Sequence, residues 1–335
     1  MRLAYLSRPD DPFSLQIYQR RVLEALDAEH VQVITVRPGQ RLPREADLFW
    51  DPGLSGNRPL HAPLRRCPYP LMVTVHGAAP LTLSWYENYR HPLAALRGWL
   101  RNRRLMAGWR WLRERVEGII AVSEFCANEV ATVFKIESRK IIRIYHGVDH
   151  RVFHPKGATQ NRLRPFLLMV AQYQTKKNVR RVLQAYAQLP QESRPDLVLI
   201  LPGYRGPKPA EPGIHLIGQT TDPETLASWY RGALGLVFPS LHETFGLPIV
   251  EAMACGCPVI TSDQTACPEV ANGAAQLVDP RSVTELAAAM QRLVRDADLR
   301  NSLRVAGLAR AMDFDWACCA HDHLAAFRQA AGGGL

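Results

Sequence analysis

The sequence predicts an α/β protein made of two doubly wound parallel sheets, and three observations carry that prediction. The chain has 335 residues, beyond the size at which a single core usually stops growing, so two domains are expected. Short apolar runs alternate with helical patterns along both halves, the signature of parallel sheets with helices on both faces. A polar stretch, "HPKGATQNRLR" (154–164), separates the halves and reads as a linker.

The candidate strands of the first half are "RLAYL" (2–6), "VQVITV" (31–36), "DLFW" (47–50), "LMVTV" (71–75), "GIIAV" (118–122) and "IIRIY" (141–145). Those of the second are "PFLLMVA" (165–171), "DLVLIL" (196–201), "IHLIG" (214–218), "LGLVF" (234–238), "CPVIT" (257–261) and "AAQLV" (274–278). Between them lie helical patterns such as "LQIYQRRVLEALDAE", "NVRRVLQAYAQL" and "SVTELAAAMQRLV". In open parallel sheets, ligands sit beyond the carboxyl ends of the strands. The residues there are Ser7, Asp51, His76, Ser123, His146, Gln172, Gly203, Gly218, Ser240 and Ser262. Each alone is an ordinary turn former; together they outline the rims of an expected interdomain cleft.

Composition narrows the class. Hydrophobic residues make up 47% and charged residues 21%, ordinary for a soluble globular chain. The seven cysteines are scattered, with no CxxC pair and no nearby histidine pattern to suggest zinc, and read as reduced thiols in a cytoplasm. "MRLAYLSRPDD" has too short an apolar run for a signal peptide, and no run approaches the roughly eighteen residues of a membrane span. A net charge of +10 favours anionic partners: phosphorylated ligands, acidic lipid or nucleic acid.

The most informative segment is "HETFGLPIVEAMACGCPVI" (242–260). "LGLVF" is a buried strand, "PSLHETFG" the following loop and "LPIVEAMACG" a helix, with Pro248 in its first turn and Gly256 at its end. The helix start is an anion site, and Gly246 permits close backbone approach there. Glu243 precedes the helix, within reach of that anion. Glu251 lies a turn inside an apolar stretch, where an unpaired carboxylate costs several kcal/mol. A ribose diol supplies two hydroxyls that one carboxylate can accept. Pairing with an arginine, or a solvent-facing position, would equally explain a lone glutamate.

"FPSLHETFGLPIVEAMACGCPVITSD" resembles the donor-site signature of the retaining nucleotide-sugar glycosyltransferases of family 4, which have the GT-B fold. "CPEVANGAAQLVDP", "IHLIGQTTDPETLASWYRGA", "IAVSEF" and "IYHGVDHRVFHP" extend the resemblance, and "FDWACCAHDHLAAFRQA" resembles the terminal helix that crosses back to the first domain. It covers most of 118–330; the first hundred residues match loosely. The implied domains are 1–155, on the acceptor side and joined by the helix at about 315–331, and 164–312, which binds the donor.

The resemblance implies roles residue by residue. Glu251 would bind the ribose hydroxyls, and Glu243 the donor sugar near its anomeric centre. The backbone N–H groups of Thr244, Phe245, Gly246 and Leu247 would hold sugar and diphosphate. Lys177, in "TKKNVRRVL", would neutralise the diphosphate, and His76, in "VTVHGA", would reach the transferred sugar. Gly218 and Gln219 would hold the base. No cofactor and no metal is implied, because Lys177 and the helix start stabilise the leaving charge themselves. A front-face route needs no protein base; a double displacement would need a nucleophile, and Glu243 is nearest.

Three positions depart from the family pattern. Ala171 and Gln172 stand where a glycine–arginine pair is usual, with Lys176 close by to compensate. The N-terminal glycine-rich loop is missing from "RPDDPFSLQIY". His146 replaces the usual asparagine and reads as a packing histidine near the hinge.

"LRGWLRNRRLMAGWRWLRER" (96–115) carries seven arginines and three tryptophans. Leu105, Trp109, Leu112 and Val116 follow helical spacing, so the plain reading is a helix packed on its own domain with solvated arginines. The alternative is docking of 97–115 on anionic lipid, with the protein peripheral on the inner membrane face. No nucleic-acid-binding module accompanies the charge. The expected function is transfer of a hexose from a nucleotide sugar to a glycan or lipid-linked acceptor in surface-polysaccharide assembly. A UDP sugar is favoured as donor and GDP-mannose is the alternative. The rival functions are a nucleotide-sugar hydrolase or epimerase of the same fold, and a silent sugar-nucleotide binding protein.

Overall fold

The computed structural model describes residues 1–54, 64, 67–89, 92–160, 164–206, 209, 211–218, 220 and 222–332. It divides into two compact units: Met1–Gly147 with Trp316–Leu335, and Val148–Asp315. The twelve apolar runs are all strands, with ends shifted by a few residues.

In the first unit, β1 (Arg2–Leu6), β2 (Gln32–Val36), β3 (Leu48–Leu54), β4 (Leu71–Val75), β5 (Val116–Ala121) and β6 (Ile141–Arg143) form a parallel sheet ordered β2-β1-β3-β4-β5-β6. Every residue of β4 is buried, as expected of a strand with partners on both sides. β3 runs past its expected end at Trp50, and its register shifts between Asp51 and Leu54. Asp51 is therefore a fully buried strand residue rather than a rim residue, and both its oxygens accept from Arg8, at 2.7 and 2.6 Å.

The helices of this unit are α1 (Phe13–Ala28), the short α2 (Ala79–Thr82) and α3 (Trp85–Asn88), α4 (Pro92–Arg115) and α5 (Glu124–Phe134). The expected inward stripe of α4 is inward: Leu105, Trp109 and Leu112 are buried, and Trp109 stacks on Phe134 of α5 at 3.7 Å. The C-terminal helix, numbered α12 (Trp316–Ala331), belongs to this unit, with Leu324 and Phe327 in one core with Tyr18, Val22, Trp50 and Ile120.

In the second unit, β7 (Phe166–Val170), β8 (Asp196–Ile200), β9 (Ile214–Ile217), β10 (Gly235–Phe238), β11 (Val259–Ser262) and β12 (Gln276–Val278) form a parallel sheet ordered β12-β11-β10-β7-β8-β9. Around it lie α6 (Val179–Ala187), α7 (Pro223–Gly232), α8 (Leu247–Ala254), α9 (Cys267–Ala271), α10 (Val283–Arg295) and α11 (Ala297–Ala311). β11 starts two residues later than expected, since Cys257 N–H still bonds Ala252 O behind α8.

The unit boundary falls at Gly147 rather than 155, and the second unit runs to Asp315 rather than 312. Val148 N–H donates to Phe314 O (3.2 Å), and Phe153 packs on Tyr230 at 6.2 Å. Nor does the start of the polar 154–164 stretch stand off as a linker: Gln160 bonds Ser228 through its backbone N–H and its side chain, each at 3.0 Å. Residues 161–163 lie outside the described residues.

Candidate active site

The strand order of the second sheet reverses between β7 and β10, and a crevice at such a switch point is where open α/β sheets take ligands. The loop after β7 carries Lys177 and the loop after β10 carries Glu243. Because those strands are neighbours, residues 66 apart in sequence meet, and Lys177 Nζ donates to Glu243 Oε1. Burial raises the Glu243 carboxyl, but the charges of Lys177 and Lys176 outweigh it, and the net shift is downward. Lys177 also lies over the Phe238 ring at 5.3 Å.

Asn178 sets this geometry, and its position in "KKN" alone does not reveal it. It takes a left-handed backbone (φ 64°), and its buried amide donates to Pro239 O (2.9 Å) and Pro280 O (2.6 Å), clamping the loops after β10 and β12. Leu241 N–H donates to Lys176 O (2.8 Å), and Glu243 N–H to Thr265 Oγ1 (3.2 Å). The lysine and the glutamate thus stand on braced loops, as an electrostatic site requires.

Gly246, at φ 93°, opens α8 in a conformation that L side chains rarely adopt. A Cβ there would also lie 3.0 Å from Ile249 Cδ1. Thr244 and Phe245 precede it and Leu247 begins the helix, so these four residues carry the chain into the positive end of α8. Phe245 is buried edge-on to Phe314 at 5.4 Å, which anchors the loop.

Glu251, one turn further on, accepts a hydrogen bond from Tyr230 Oη of α7 at 3.0 Å. Burial pushes its carboxyl up to about 7, and the tyrosine bond opposes that only in part. Among the described residues the partner of Glu251, which is itself part-buried, is thus not an arginine but one fully buried tyrosine. Tyr230 went unassigned at the sequence level although "ASWYRGA" belongs to a matching segment; its spacing marks it only as core.

Gln172, in the usual arginine position, and the base-side residues are less organised. Gln172 is exposed and its Oε1 accepts from Gln174 at 3.0 Å. Gly218 is exposed just past β9, with open space where a Cβ would sit. Gln219 lies outside the described residues. Past the ends of β7 and β8, the rings of Tyr173 and Tyr204 lie 4.5 Å apart, tilted by 56°, an aromatic pair that the sequence pattern does not single out.

In the first unit, His76 follows β4, half-buried. Its Nε2 donates to Pro52 O at 2.8 Å, because a carbonyl can only accept. His146 stacks on it at 5.6 Å with rings 14° apart, and Tyr18 meets it edge-on at 5.3 Å. The packing histidine of the sequence reading therefore packs on His76 itself. Burial, then the neighbouring His76 and His323, hold the His146 imidazole well below its ordinary pKa.

Beneath them runs a directed hydrogen-bond chain. Trp50 Nε1 donates to Thr74 Oγ1 (3.0 Å), Thr74 to Tyr18 Oη (2.8 Å), Tyr18 to His323 Nε2 (2.6 Å), and His323 Nδ1 to Cys319 O (2.7 Å). Its direction follows from its ends, since an indole can only donate and a carbonyl can only accept. Burial lowers the His323 imidazole to about 4, which suits a ring that must accept from Tyr18.

The family described as Glycosyl transferases group 1 matches residues 153–310, and Glycosyltransferase Family 4 matches residues 51–152. The chain is 32% identical over 229 residues to O-antigen chain mannosyltransferase B of Escherichia coli, covering 63% of this chain and 60% of that protein. It is 30% identical over 281 residues to the MMP alpha-(1->4)-mannosyltransferase of Mycolicibacterium hassiacum, covering 78% of this chain and 66% of that one. Among solved structures, sucrose-phosphate synthase from Thermosynechococcus elongatus superposes over all of both chains with a TM-score of 0.79 at 20% identity, a likeness of fold. The two family matches meet end to end across 51–310, over a pair of doubly wound sheets: the chain belongs to the GT-B glycosyltransferases of group 1 and family 4.

Proposed function

We propose that the protein transfers a hexose from a nucleoside-diphosphate sugar to a glycan or lipid-linked acceptor, with retention of anomeric configuration, in surface-polysaccharide assembly. The observation that carries this reading is the meeting of Lys177, Glu243 and the start of α8 at the switch point, with Glu251 one turn on. The sequence ranks a UDP sugar first. Two relatives are named mannosyltransferases, so GDP-mannose becomes the donor to test beside it.

In this reading the diphosphate lies at the start of α8 and takes Lys177, whose ammonium meets the charge that grows as the glycosidic bond breaks. Glu251 accepts the ribose hydroxyls. Glu243 stays ionised beside the anomeric carbon and stabilises its positive charge, while the departing phosphate oxygen takes the acceptor's proton. His76 contacts the transferred sugar. No metal enters these steps, so a chelator should leave turnover unchanged.

The test is a donor panel of GDP-mannose and UDP sugars, assayed for nucleoside diphosphate release with and without glycan acceptors. Release that depends on an acceptor, with retained configuration in the product, supports the reading. Equal release without acceptor would make the protein a hydrolase. Tight donor binding with no release would make it a binding protein, a reading that Gln172 in the usual arginine position favours. A glycosyl ester trapped on Glu243 would overturn the front-face route.

A further inference from the structure

Among the described residues, ten large hydrophobic side chains stand exposed, and six of them fall within residues 85–100: Trp85, Tyr86, Leu93, Leu96, Trp99 and Leu100. Scattered exposed hydrophobics need no explanation, but a cluster marks an interaction surface. Leu93 is 74% exposed and Trp99 54%.

The first half of α4 is seated, so its outward face is defined. Gly98 is buried under Tyr89, where a Cβ would come within 2.2 Å of the phenol oxygen, and Asn102 Nδ2 donates to Pro80 O at 2.9 Å. With Leu105, Trp109 and Leu112 these form the inner stripe. Leu93, Leu96 and Leu100, spaced three and four apart, lie on the opposite side. Arg97, Arg103 and Arg104 are exposed around them, with the Arg103 guanidinium over the Trp99 ring at 5.1 Å. Trp85 and Tyr86 on α3, which packs on α4, extend the apolar surface.

Charge decides what this surface fits. Between residues 92 and 113 there are six arginines and no carboxylate. A second copy meeting this face on its own would oppose like charges across the contact, which is strongly unfavourable. A helix with apolar centre and arginine flanks fits an anionic bilayer, with leucines and tryptophan at the headgroup boundary and guanidinium groups on phosphates. No described helix is long and apolar enough to cross a membrane, so the fit is to its surface.

We propose that the outward face of residues 85–104 docks on an anionic membrane surface. The docking region is shifted from 97–115, because the later part of α4 spends its apolar side chains on the core. The proposal stands on this surface alone and is independent of the sugar transfer proposed above.

Co-sedimentation of the full chain with vesicles tests it, comparing phosphatidylglycerol mixed into phosphatidylcholine against phosphatidylcholine alone. The wild type should bind the mixed vesicles at low salt, at least about tenfold more weakly to phosphatidylcholine, and less as salt rises. Arg97→Glu with Arg104→Glu, and separately Leu96→Ser with Leu100→Ser, should each weaken binding about tenfold or more while nucleoside diphosphate affinity stays unchanged. Absence of wild-type binding at low salt would overturn the proposal, as would equal binding to both vesicles. A solution dimer that the leucine pair abolishes would assign the face to a second copy and overturn it too.

Discussion

Glu251 and Glu243 are both carboxylates of the β10–α8 segment, yet their partners differ, and so should their variants. Glu251 has a folded pKa of about 7 against an ordinary carboxyl value near 4.5. A raised acid pKa means that the folded state holds its proton longer. Its stabilising contribution is full below about 4.5 and is lost as pH rises through about 7. Glu251→Gln should therefore raise the melting temperature of the ligand-free protein at pH 8 and change it little at pH 4. The same variant should bind nucleoside diphosphate at least about tenfold more weakly above pH 7, since charge-assisted bonds to ribose are worth on the order of 1.5–3 kcal/mol each. Wild-type affinity should rise with pH through about 7, and calorimetry across that range checks it. Glu243, by contrast, holds Lys177 in the ligand-free chain. Glu243→Gln frees that ammonium, so nucleoside diphosphate affinity should rise severalfold while turnover falls. Equal loss of affinity in both variants would show that the two glutamates share one role.

At the scale of elements, α12 is tied to the first unit by chemistry as well as packing. His323 accepts from Tyr18 in a fully buried chain. His323→Ala removes that acceptor and leaves a cavity beside Phe327, and should destabilise by about 2–4 kcal/mol in denaturant unfolding. The histidine also titrates in the direction opposite to Glu251. Its pKa is lowered from about 6.5 to about 4, so its contribution is present above 6.5 and is lost as pH falls toward 4. His323→Gln should remove that rise in stability with pH and leave in place the fall due to Glu251, which overlaps it from about 4.5 and runs on to about 7. Because Tyr18 also lies edge-on to His76, the variant should lower turnover before it lowers nucleoside diphosphate affinity.

For the whole molecule, the division into units predicts a separable function. Lys177, Asn178, Tyr230, Glu243 and Glu251 all lie in Val148–Asp315. That unit, expressed alone, should bind nucleoside diphosphate with an affinity within about tenfold of the full chain and show no transfer. His76 in the other unit should behave oppositely: His76→Ala should cut turnover and spare the affinity. A folded fragment that binds no nucleotide would move the donor site.

The sequence by itself determined the fold class, because strand and helix patterns are local: the apolar runs of four to seven residues could bury themselves only as strands between helices. A loop, a helix start and a charge inside an apolar stretch also single out Glu243, Gly246 and Glu251 as candidates within one short window, and the family resemblance adds Lys177. Only the tertiary structure decided their partners. Tyr230 for Glu251, Glu243 for Lys177, the Asn178 clamp and the His323 chain join residues that are distant in sequence, and no periodicity encodes such pairs. The same holds for the edges. The sequence assigns residues up to 155 to the first domain and 154–164 to a polar connection, yet 148–160 pack on the second unit because Val148, Phe153 and Gln160 find partners there. Composition spread the basic surface along all of 97–115; folding buried one stripe of that helix and left its leucines and arginines near residue 100 facing outward. Which side a residue presents is settled by what the rest of the chain places against it.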